Sequence, residues 1–170
     1  MRKTEPAAAE IEAAPAAFAI GVPRVEDIAR KREAREMLSE VPLFRGLPKR
    51  HLHKLGHIAK PVRFSAGRLI VKEGSPGTTF FVIVDGKAKV VSESANRLLT
   101  RFGPGDFFGE LALLDGGPRS ASVVAETAVD AIQLSRKAFR DLVVSEPEVG
   151  LKIMEDLARR IRDLTRALAG

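Results

Sequence analysis

Three textures of hydrophobic and polar positions follow one another along the chain. From Arg24 to about Glu40 the residues are heavily charged, and Val25, Ile28, Ala29, Met37 and Leu38 form a weak stripe at helical spacing. Val41-Pro42-Leu43-Phe44 is an apolar link that must be buried. A short helix is predicted from Pro48 to Ala59, with proline in its first turn and Leu52, Leu55 and Ile58 on its core side. The texture then changes to short apolar runs at 62–64, 68–72, 79–84, 87–91, 98–103, 121–126 and 128–134, separated by glycine-rich breaks. Asp85-Gly86 between two such runs predicts a β-hairpin, since both turn positions favour positive φ. Many short strands punctuated in this way predict a sandwich or jelly-roll barrel. Helical texture returns after Leu134. Ser135 is placed to cap a short helix reaching about Val143, and Ser145 with Glu148 has capping-box spacing for a last helix over 146–168.

Composition adds limits. Residues 1–23 hold eight alanines and three prolines without a sustained period, which predicts a flexible tail. Arg2 and Lys3 resemble the start of a signal peptide, but Glu5, Glu10, Glu12, Pro15 and Pro23 interrupt the apolar core that one requires. No run of 18 apolar residues occurs, so no membrane span is expected. The chain has no cysteine, which excludes disulfides and thiolate metal sites and suits the cytoplasm. The net charge of +6 is localised: residues 46–73 carry seven basic side chains and one acidic, and the flanking parts cancel. That segment reads as a solvated basic face, or as a docking surface for an acidic partner, membrane headgroups or nucleic acid.

One segment within the β region differs from its surroundings: Phe107-Phe108-Gly109-Glu110-Leu111-Ala112-Leu113-Leu114-Asp115-Gly116-Gly117-Pro118-Arg119-Ser120-Ala121-Ser122-Val123. Gly109 permits close backbone approach. Glu110 to Leu114 can form one helical turn whose free N–H groups point at an anion. Gly116-Gly117-Pro118 returns the chain so that Arg119 arrives beside the start of that turn, with Glu110 at the rim as an acceptor. A guanidinium, amide donors and a carboxylate suit a ligand with one anionic group and one nearby hydroxyl. A 3′,5′-cyclic nucleotide has this chemistry in its phosphate and ribose 2′-OH.

The run from Phe108 to Val123 closely resembles the phosphate-binding cassette of the cyclic-nucleotide-binding family, and the resemblance extends from about Val41 to Leu168. It implies an eight-stranded antiparallel double-stranded β-helix, or jelly roll, mainly β with N-terminal helices and a C-terminal lid helix. The binding domain would then occupy 41–170. By resemblance, Arg119 pairs with the cyclic phosphate and Glu110 takes the 2′-OH. Gly109, Leu111, Ala112 and Ala121 contribute backbone to the cradle, and Phe108 stands beside them, whereas Phe107 reads as core. Ser120 leaves cyclic AMP and cyclic GMP both open, with family habit favouring cyclic AMP. Val90, Leu99 and Thr100 correspond to strand positions lining the base, and Ile161, Leu164 and Thr165 to positions capping it. Leu164 stands where the bacterial catabolite activator protein has an adenine-contacting threonine, a departure at the lid.

Other constellations are weaker. His53 and His57 stand i, i+4 on a predicted helix, yet no carboxylate is near them in sequence, so a solvated basic helix is the simpler reading. Met154, Leu157, Ile161, Leu164 and Leu168 follow a 3-4 spacing that suits either a homodimer seam or the stripe closing over the chain's own pocket. No nucleophile–base pair, metal set or nucleotide-hydrolysing motif is visible, so no enzyme or cofactor is expected. The chain ends at Gly170, before the position where DNA-binding family members carry a helix-turn-helix. The reading is therefore a stand-alone sensor acting on an unidentified effector protein. A ligand-free scaffold and a transcription regulator are the alternatives.

Overall fold

The computed structural model describes residues 25–169. The tail expected over 1–23 lies outside the described residues. The elements in order are α1 (Val25–Glu40), a 3-10 turn (Pro42–Phe44), α2 (Lys49–Ile58), β1 (Lys60–Phe64), β2 (Leu69–Val71), β3 (Thr79–Asp85), β4 (Ala88–Ser92), β5 (Arg97–Phe102), β6 (Phe107–Phe108), α3 (Glu110–Asp115), β7 (Ser122–Ala125), β8 (Val129–Ser135), α4 (Arg136–Ser145) and α5 (Pro147–Ala169). The strands form two antiparallel four-stranded sheets, ordered β1-β8-β3-β6 and β2-β7-β4-β5. This is the mainly β roll with flanking helices that the sequence predicts.

The two sheets enclose one core, and the helices cover a second on the outer face of the first sheet. Strand β3 serves both. Phe81 and Ile83 point into the barrel with Val90, Phe108, Val123 and Ala131. Phe80 and Val82 face Phe44, Leu55, Phe139 and Ile153 of the helices. Burial on both faces explains why this strand reads as an unbroken apolar run rather than an alternation.

Three local expectations need correction. Asp85-Gly86 does not close a hairpin: β3 pairs with β6 and β8, whereas β4 pairs with β5 and β7. The chain crosses between sheets there, with Gly86 at φ 89° and a Cβ at that position only 2.1 Å from the Ala128 carbonyl oxygen. Glycine is required by that close approach and by the backbone angle. An eighth strand, Phe107–Phe108, falls outside the seven apolar runs; two residues are too few to show a period, and only pairing with Phe81 and Val82 defines it. Finally, Ser145 and Glu148 form no capping box. Ser145 ends α4 and its hydroxyl donates to Leu142 O, while the Glu146 carbonyl accepts from Val149 N. Ser135 does cap α4, its hydroxyl accepting from Ala138 N at 3.2 Å.

Candidate functional site

The site forms where the β6–α3 junction meets the chain returning into β7. Gly109, the residue before α3, has φ 91°. A Cβ there would lie 2.5 Å from Arg119 Nη1 and 2.6 Å from Thr79 O, so glycine is what lets the guanidinium reach the helix start. The Arg119 backbone is fixed by its N–H donating to Ser75 O at 2.9 Å and its carbonyl accepting from Gly74 N at 2.8 Å. Its side chain then runs under the β2–β3 turn, where Gly77 leaves room: a Cβ on Gly77 would meet the Ala112 Cβ at 2.3 Å and the guanidinium at 3.2 Å.

Arg119 is 6% exposed. Its guanidinium donates to Gly109 O at 3.2 Å, Thr79 O at 2.7 Å and Thr79 Oγ1 at 3.0 Å, all neutral oxygens. Burial works against its charge, and the nearby charge of Glu110 works for it. A buried guanidinium bonded only to neutral groups is an electrostatic demand for an anion.

Glu110 departs from the expected placement. It is 1% exposed rather than at the rim. Oε1 accepts from Arg160 Nη1 at 3.1 Å, and Arg160 also donates to Phe107 O at 2.8 Å and pairs with Asp156 at 2.7 Å. The Arg160 guanidinium lies 5.1 and 5.2 Å from the ring centroids of Phe102 and Phe107. Burial raises the proton affinity of Glu110, while Arg160 opposes that shift. The first helix turn buries its carboxylate against α5, so spacing within the cassette could not reveal the partner.

Sequence reasoning missed Arg160, Thr79 and Gly77. A signal for Arg160 existed: it follows Ile153 and Leu157 at helical spacing, so it sits on the inward face of α5. Ser122 was missed as well. Its fully buried hydroxyl accepts from Glu73 N at 2.8 Å and donates to Glu93, tying the strand leaving the cassette to the β4–β5 turn.

Among the remaining predicted residues, Phe108 is buried in the barrel core, its ring 5.1 Å from Phe81 and 5.8 Å from Phe102. Ala112 is buried, Leu111 and Ser120 are exposed, and Ala121 is half-buried. Val90 is buried opposite Thr100. The next pair is Val91 with Leu98, so β5 carries an extra residue and Leu99 falls in a bulge that simple alternation does not place. Ile161, Leu164 and Thr165 are exposed, and the Thr165 hydroxyl donates to Ile161 O of its own helix. The structure thus does not gather them over Glu110 and Arg119. His53 and His57 lie with ring centroids 4.6 Å apart, and no cluster of three metal-ligating side chains exists among the described residues. No described helix is long and apolar enough to cross a membrane.

Comparison with known proteins gives a consistent result. The model of the cyclic nucleotide-binding domain matches residues 61–146. The CRP-like cAMP-activated global transcriptional regulator of Mycobacterium tuberculosis is 34% identical over 137 residues, covering 79% of this chain and 61% of the relative. A cAMP-dependent protein kinase regulatory subunit of Emericella nidulans is 39% identical over 114 residues, covering 67% of this chain and 28% of the relative. The chain therefore spans less than two thirds of the length of these relatives. The crystal structure of Thermus thermophilus catabolite activator protein superposes with a TM-score of 0.66 at 30% identity, over 75% of this chain and 62% of that one. Fold, cassette and family match together show that the chain belongs to the cyclic nucleotide-binding domain family.

Proposed function

We propose that this chain is a cyclic-nucleotide sensor, with cyclic AMP its preferred ligand, and that it regulates a separate effector in the cytoplasm rather than catalysing a reaction. The observation that carries this reading is the buried Arg119 guanidinium, bonded only to neutral oxygens at the start of α3. A cyclic phosphate supplies the missing charge. The backbone near Leu111, Ala112 and Ala121 completes the cradle, and Glu110 accepts the ribose hydroxyl. Names of the relatives support cyclic AMP, since both are described as cAMP-activated or cAMP-dependent.

Signalling follows from the contact between Glu110 and Arg160. The carboxylate that takes the ribose also holds α5, so ligand binding changes the bonds that anchor that helix. The α5 arrangement is then the two-state element that the ligand biases. Ile161, Leu164 and Thr165 are available to pack over the base once α5 repacks. Titration calorimetry of the full chain with cyclic AMP and cyclic GMP tests the reading. Saturable heat with tighter cyclic AMP binding is expected, and no heat at millimolar ligand would sink it.

A second reading has one observation in its favour: Glu110 already has an ion-pair partner, Arg160. If that pair is purely structural, the domain is a ligand-free scaffold. It then shows no calorimetric response, yet loses stability in Arg160→Ala.

A further inference from the structure

Arg119 is placed by the turn between β2 and β3, and the outer side of that turn is held from a different element. Strand β8 ends at Ser135, paired with Thr79 at the start of β3, so Arg136 follows directly as the first residue of α4. Its backbone N–H donates to Thr78 O at 2.9 Å. Its guanidinium reaches further, and one nitrogen, Nη2, donates to Gly77 O at 2.7 Å and to Ala112 O at 3.4 Å. Three successive carbonyls are thereby taken, those of Gly77 and Thr78 by Arg136 and that of Thr79 by Arg119. The segment 77–79 is gripped between the cradle arginine and the first residue of α4. Ala112 O belongs to the last four carbonyls of α3, which find no partner within so short a helix and are suited to an arginine donor. The turn packs on α3 without slack, since a Cβ on Gly77 would lie 2.3 Å from the Ala112 Cβ.

We propose that Arg136 is a positioning residue for the nucleotide site and relays phosphate binding to α4. The inference rests on the sensor reading of the same cassette. A cyclic phosphate draws together the Arg119 guanidinium and the start of α3. Both acceptors of the Arg136 side chain ride on these two parts, Gly77 on the turn that holds Arg119 and Ala112 on α3. Closing the cradle therefore shifts the bonds that place the first turn of α4. Arg160, by contrast, is bonded to Glu110 and couples the ribose to α5. The two arginines divide the ligand: Arg136 follows its phosphate and Arg160 its sugar. Arg136 is largely exposed and spends its guanidinium on main-chain oxygens, which suits positioning rather than packing.

The test uses the full chain, titrated with cyclic AMP by calorimetry and followed by hydrogen exchange at saturating nucleotide. In the parent, cyclic AMP slows exchange over 137–140 of α4 and over 161–169 of α5. Arg136→Met keeps the length of the stem but loses the donors. It weakens cyclic AMP binding about fivefold or more and removes about half or more of the protection gained over 137–140, while that over 161–169 stays. Arg136→Gln, too short to bond both carbonyls, gives the same selective loss and serves if the methionine variant fails to fold. Arg136→Lys restores affinity and α4 protection, because one ammonium can donate to both oxygens. Arg140→Met, one turn further along α4, behaves as the parent. Parent affinity in both Arg136→Met and Arg136→Gln overturns the inference, and so does weaker binding with α4 protection intact. Equal loss over α4 and α5 overturns it too, since that is general loosening, as does an Arg136→Lys variant no better than Arg136→Met. A parent chain that binds neither cyclic AMP nor cyclic GMP overturns the sensor reading and this relay with it, whereas a binding parent with unaltered variants overturns the relay alone.

Discussion

Arg119 and Glu110 carry opposite electrostatic problems, and each yields a prediction. Arg119 is buried among neutral acceptors, so its charge is best used by an anionic ligand. Arg119→Ala should weaken cyclic AMP binding by about 2–4 kcal/mol in titration calorimetry, the scale of losing one partner of a buried charge pair. Glu110 has a raised proton affinity in the folded chain, chiefly through burial. The unfolded chain therefore releases this proton first as pH rises. Between the two titrations the folded form holds more protons, and stability falls with increasing pH. The fall begins near the ordinary value of about 4.5 and extends above it. Urea unfolding across that window should show a decline that Glu110→Gln lacks; parallel curves would mean that Glu110 is ionised in both states. Both residue identities were legible in the cassette. The Arg160 contact was not, because 50 residues of chain separate it from Glu110 and only packing joins them.

Element formation follows local pattern where one face is buried and departs from it where two are. Helices α2, α4 and α5 form close to the bounds their apolar spacing predicts, and each buries part of one apolar face, Leu55 in α2, Phe139 and Leu142 in α4 and Val149 and Ile153 in α5. Ile58 of α2 and Met154, Ile161, Leu164 and Leu168 of α5 stay exposed. The β segments were legible as strands but not in their partners. Asp85-Gly86 has hairpin chemistry, yet the chain uses Gly86 to pass between sheets beneath Ala128 O. This yields a paired test. At Gly86 an added Cβ meets both an unfavourable φ and a backbone oxygen, so Gly86→Ala should cost about 3 kcal/mol or more. At Gly67, φ is 83° but nothing lies within 4 Å of the added atom, so Gly67→Ala should cost only about 1 kcal/mol. Urea denaturation of both variants measures the difference, and equal losses would show that the close approach at Gly86 is unimportant.

At the scale of the whole molecule, α5 links the site to the outside. Its first turns are anchored in the helical core by Val149 and Ile153, and Lys152 donates to Pro42 O and Arg45 O. Arg160 then ties it to Glu110, and beyond that point its residues are exposed. Hydrogen exchange over 161–169 should slow on adding cyclic AMP. In Arg160→Ala that protection should drop by about half or more while nucleotide still binds, because the carboxylate no longer reaches the helix. Unchanged protection would place the coupling elsewhere. The exposed Met154, Ile161, Leu164 and Leu168 are also where a second copy or an effector would pack. Sedimentation of the parent and of a Leu164→Glu, Leu168→Glu variant distinguishes these: self-association lost in the variant identifies a homodimer seam. By itself the sequence determined the class of fold, the helices, the strand-rich middle and the cassette, since those depend on periodicity, turn chemistry and residues close together in the chain. Only the tertiary structure decided which strands pair and that Glu110 is buried against Arg160. Those outcomes depend on contacts between segments distant in sequence, which no local pattern of hydrophobic and polar residues encodes.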